Sequence, residues 1–108
     1  MPRLAIHPGE HLADQLGGLE MSAAEFARRI DVPTNRVTGL INGQRAITAD
    51  TALRLARAFG NSPRFWMNLQ AIYDLRVAES GASKDLATIK PVDRRAGVPA
   101  RRQAPVHA

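Results

Sequence analysis

The sequence contains no cysteine, which excludes disulfides and thiolate zinc sites and removes any argument for an oxidising compartment. No run of about 18 apolar residues, the length that crosses a bilayer, is present. The start, "MPRLAIHPGEH", lacks the apolar core of a secretory signal. A cytoplasmic protein without membrane association is expected. No segment alternates apolar and polar residues over a useful length, so no sheet is expected. Neither a Ser/His/Asp grouping nor a pair of facing carboxylates stands out, and the chain is expected not to be an enzyme, with no cofactor. His7, Glu10 and His11 place two imidazoles one helical turn apart. They lack a third ligand, Pro8 accounts for the local pattern as a helix start, and no metal site is expected.

What is present fits one small domain. The 108 residues are 44% hydrophobic, enough for a core, and carry a net charge of +5 with a pI near 11. The charge is unevenly placed. Residues 1–80 hold nine arginines against eight acids, whereas residues 81–108 hold six basic residues against two. The expected division is a folded domain over 1–80 and a disordered basic tail over 81–108, where apolar periodicity gives way to Gly, Pro and scattered charge. The pairs Arg94-Arg95 and Arg101-Arg102 in that tail could attract phosphates without reading sequence or engage a partner, but such runs are more often simply solvated.

The spacing predicts five helices. The first opens at Pro8 and carries Leu12, Ala13, Leu16 and Leu19, with a break near Gly17-Gly18. Ser22 and Glu25 form a capping box before Phe26, Ala27 and Ile30. A third helix is predicted over Thr34–Asn42, stopped by Gly43 in the left-handed conformation. Thr48 caps a fourth, with Ala52, Leu55, Ala56 and Phe59 inward and Gly60 as its end. Ser62-Pro63 opens the longest, predicted to finish near Gly81.

Helices two and three are separated only by "IDVP", and helices so joined must cross steeply. Phe26, Ile30, Val32, Val37 and Leu40 fill the inward positions, and Ala27 is small where the helices approach. This is the helix-turn-helix pattern. Its turn position, commonly Gly, is here Asp31, which tolerates the left-handed conformation better than most residues. The stretch "DVPTNRVTGLINGQR" carries no acid after Asp31. A second helix with such a face suits the DNA major groove, where carboxylates would meet phosphates while Thr, Asn and Arg reach base edges. Thr34, Asn35, Arg36 and Thr38 are the candidate base readers, although Arg36 is placed either to read guanine or to hold a phosphate. Ser22, Asn42, Gln44 and Arg45 are the candidate phosphate ligands.

Helix five carries more apolar residues than four short helices can cover. Phe65, Trp66, Leu69 and Tyr73 are therefore the candidate surface for a two-fold homodimer. Such a dimer would require an inverted-repeat operator in double-stranded DNA.

Three stretches, "HPGEHL", the motif itself and "INGQRAITADTALRLARAFGNSPRFWMNLQAIYDL", resemble the HigA-like antitoxins, small members of the phage-repressor (Xre) helix-turn-helix class. The resemblance covers about residues 6–79. It implies an all-α, five-helix, lambda-repressor-like domain that dimerises and represses its own operon. It also implies a HigB-like toxin partner, an mRNA endonuclease neutralised by binding. Two alternatives remain open at this point: a stand-alone Xre-type repressor without a toxin, and a protein-interaction module that no longer binds DNA.

Overall fold

Leu12, Leu55 and Trp66, from three different helices, are fully enclosed in the computed structural model, which describes residues 5–93. Five helices surround them: α1 (Pro8–Leu19), α2 (Ala23–Ile30), α3 (Thr34–Ile41), α4 (Ala49–Phe59) and α5 (Pro63–Ala87). No strand is found among the described residues, and none of their helices is long and apolar enough to cross a membrane.

The helix boundaries follow local chemistry. Ser22, Thr48 and Ser62 each accept a backbone N–H three residues on, at 3.1, 3.3 and 3.0 Å, relieving amides that a helix start leaves without partners. Asp31, Gly43 and Gly60 sit in the left-handed region at φ 61°, 76° and 73°. Asp31 thus closes α2 in the conformation glycine would supply. The break expected at Gly17-Gly18 does not occur. α1 runs through both glycines and ends on Glu20 at φ 54°, where Leu16 O accepts the Met21 amide.

α2 and α3 pack on each other, α1 packs on α3 and α5, and α4 packs on α2 and α5. Phe26, Ala27, Ile30, Val37 and Leu40 are buried, and Val32 lies half-buried against them, which is the expected helix-turn-helix core. α1 meets the end of α3 at backbone contact. A Cβ placed on Gly9 would run into the Leu40 carbonyl. His7 is used structurally: its Nδ1 accepts the Gly9 N–H at 2.8 Å and its ring meets Tyr73 edge-on. His11 likewise packs edge-on against Phe65 and Trp66.

Helix five departs from expectation in two ways. It does not finish near Gly81 but continues to Ala87, so the first part of the supposed tail, from 81 on, is helical. The disorder expected of the remainder falls mostly on residues 94–108, outside the described residues. Second, Trp66 is not surface available for pairing. It is fully buried, packs against Phe59 and Phe65, and donates its Nε1–H to Asn61 Oδ1 at 2.9 Å. Phe65 and Leu69 are partly buried against the same core, and Tyr73 is half-buried against His7. The inward stripe therefore takes up much of the set expected at an interface. The apolar excess lies around the helix from it, at Ile72, Leu75 and Leu86, exposed by 45, 61 and 51%.

Candidate nucleic-acid interface

At 100° per residue, with Val37 and Leu40 turned into the core, the opposite side of α3 is centred on Asn35, Thr38 and Asn42. Thr34, Asn35 and Asn42 are exposed and Thr38 is half-buried. Three of the four candidate base readers thus share or border one outward face. The Thr38 hydroxyl donates weakly back to the Thr34 carbonyl at 3.4 Å, which leaves its oxygen able to accept a further hydrogen bond.

Arg45 joins this face by packing. A Cβ on Gly39 would come within 2.9 Å of the Arg45 side chain, so the arginine stem lies across the α3 backbone where glycine leaves room. The chain folds back tightly to bring it there, the Gln44 and Arg45 amides both donating to Gly39 O at 2.8 and 3.1 Å. Gln44 is exposed in the same turn. Ser22 is exposed at the start of α2, a separate element, with its hydroxyl oxygen already holding the Glu25 amide.

Arg36 takes a direction the sequence left open. Its Nη1 donates to Asp50 Oδ2 at 2.8 Å, and Arg54 Nε donates to the same oxygen at 3.0 Å. Arg54 also donates to the Ile30 and Asp31 carbonyls at 2.8 and 3.3 Å. Arg54 is thus a clamp joining α4 to the end of α2. Hydrogen bonds from Arg54 and Arg36 hold the Asp50 carboxyl below the usual carboxylate range. A lowered pKa means that the stabilising effect of these bonds is fully present above the unfolded value, about 4. It is lost only as pH falls through the lower folded value, so the cluster is intact at neutral pH.

Gln70 was missed altogether. It is buried on α5, accepts the Ile47 N–H at 2.7 Å, and donates to Asp74 Oδ1 at 2.9 Å. It thereby fastens the segment that carries Gln44 and Arg45 onto α5. The only signal in the sequence was a polar residue on the inward stripe next to Leu69. Gln70→Leu strands the buried Ile47 amide and is expected to cost about 1–3 kcal/mol, read as a lowered midpoint in denaturant. An unchanged midpoint would mean that water replaces the bond.

The α2–α3 pair with this face defines the class, and residues 12–66 match the helix-turn-helix family HTH_3. Among solved structures, an addiction-module antidote protein of the HigA family from Coxiella burnetii is 50% identical with a TM-score of 0.81, over 83% of this chain and 100% of that one. The Pseudomonas aeruginosa antitoxin HigA, solved with the higBA promoter, is 41% identical with a TM-score of 0.79, over 82% and 99%. Virulence-associated protein I of Dichelobacter nodosus is 46% identical over 76 residues, 69% of this chain and 70% of that protein. The chain belongs to the HigA-like members of the helix-turn-helix family. That membership agrees with the expectation that it is not an enzyme, since proteins of this class act by binding.

Proposed function

We propose that this protein is the antitoxin of a toxin–antitoxin pair: a homodimer that represses its own operon by reading an inverted repeat with α3, and that neutralises a HigB-like mRNA endonuclease by binding it. The observation that carries the reading is the outward face of α3, where Thr34, Asn35, Asn42 and Arg45 are exposed, the apolar Val37 and Leu40 turn the other way, and Gly39 is covered by the Arg45 stem. Such side chains discriminate bases in the major groove, while arginine adds phosphate affinity. The likeness to an antitoxin solved with its promoter supports it. Two reading helices related by a two-fold axis would occupy successive major grooves, about 34 Å or 10 base pairs apart.

The test is an electrophoretic shift with the chain's own upstream region against random DNA of equal length. Co-purification with the product of the adjacent reading frame tests the toxin. Asn35→Ala is expected to weaken operator binding by about 1–3 kcal/mol while sparing random DNA. Arg45→Ala should instead weaken both and flatten the salt dependence. Equal losses for Asn35→Ala on both DNAs would reassign Asn35 to phosphate.

A further inference from the structure

We propose that Asp50 is a specificity-determining residue that acts through Arg36: it holds the guanidinium against α4 and so withholds a strong phosphate ligand from DNA of arbitrary sequence. The inference rests on the DNA-binding reading above and goes beyond it, because it assigns an acidic residue outside the recognition helix a role in what that helix contacts.

The geometry supports it in three steps. Arg36 is the third residue of α3, about 100° around the helix from both Val37 and Asn35, so it stands on the flank between the core side and the outward face. An arginine there, if unbound, lies beside the backbone that borders the groove, and a guanidinium is the side chain best shaped to grip a phosphate. Asp50 takes up that guanidinium at 2.8 Å. Finally, Asp50 is itself anchored: its other donor, Arg54, is tied to two carbonyls at the end of α2. The acceptor for Arg36 is thus preset by α2 and α4 together and does not depend on DNA.

The consequence differs for the two kinds of DNA. Binding to random sequence is nearly all electrostatic, so one fewer available cation lowers it directly. On an operator, the same tie steadies α3 against α4, on which the base contacts of Asn35 and Thr38 depend. Releasing Arg36 therefore helps random DNA, while its benefit on the operator is offset by a less firmly held helix. The pair is partly exposed, with side chains 31 and 55% accessible, so it biases contacts without setting the fold's stability.

Asp50→Asn is the direct test, using the full chain with duplexes of its own upstream region and of random sequence. The slope of log affinity against log salt on random DNA is expected to steepen by about 0.9, the value of one added phosphate contact, and the operator-to-random ratio to fall severalfold. Arg29 and Arg57 line the same open depression as Asp50, so removing the acid also leaves uncompensated positive charge. The double variant Asp50→Asn, Arg36→Gln separates the two effects. It should return the slope to its wild-type value, whereas equal steepening in the Arg36→Gln background would overturn the proposal in favour of a general charge effect. Arg36→Gln alone should leave the slope on random DNA unchanged. A loss of about 0.9 there would show that Arg36 already holds a phosphate, and this arm stands even if the Asp50 variant fails to fold. Wild-type protein that binds neither DNA would remove the underlying function, and the inference with it.

Discussion

Trp66→Ala should cost about 3–5 kcal/mol, a large part of the stability of a small domain. The indole is fully buried between Phe59, Phe65 and His11. Its removal opens a cavity between α1, α4 and α5 and leaves Asn61 Oδ1 without its donor. Urea unfolding measures the loss directly. Trp66→Phe, which keeps a ring but not the N–H, should lose less. A Trp66→Ala protein that keeps its midpoint and instead loses self-association would return the residue to a subunit interface.

Ile72→Glu combined with Leu75→Glu should leave the fold intact, give a monomer, and weaken operator binding on the order of 100-fold, since single helix-turn-helix modules bury little surface on DNA. Both side chains are exposed, so the carboxylates meet water in the protomer but would be trapped unpaired in a two-fold contact along α5. Ile72, Leu75, Ala82 and Leu86 recur at helical spacing on one side of α5, interrupted only by Glu79. Affinity for random DNA should fall as well, since a monomer makes half the phosphate contacts, so the loss of the operator-to-random ratio is the informative readout. Sedimentation of the wild type as a monomer, both free and on operator DNA, ends this reading.

The parts of the molecule that were legible in sequence are those decided within a few residues. Ser22, Thr48 and Ser62 act as caps because each has its acceptor oxygen next to unpaired amides, and Gly43 and Gly60 stop helices because of their backbone freedom. Gly81 misled for the opposite reason. A glycine inside a helix costs only about 1 kcal/mol relative to alanine, and Ala78, Ala82, Lys84, Leu86 and Ala87 around it are good helix formers. The two faces of α5 were also not separable by spacing, because Phe65, Trp66, Leu69 and Ile72 fit more than one stripe. Only the position of α1 and α4 decides which one is enclosed. At the candidate interface, the outward residues of α3 followed from periodicity. The partners that fix them did not, because Asp50 reaches Arg36 from 14 positions away and Gln70 reaches Ile47 from 23.

The placement of Thr34 and Asn35 has a consequence for how such a protein can diverge. Both are exposed, and neither side chain carries a hydrogen bond among those the structure shows for α3. The fit of that helix to its neighbours is made elsewhere, at Val37 and Leu40 and where Gly9 meets the Leu40 carbonyl. Substitution at the two positions therefore carries little folding penalty, since surface changes away from packing and caps are usually worth less than about 0.5 kcal/mol. If α3 reads bases as proposed, a lineage could wander through different target sequences there while the scaffold stays unaltered, and two copies in one cell could become insulated from each other by changes at a few codons.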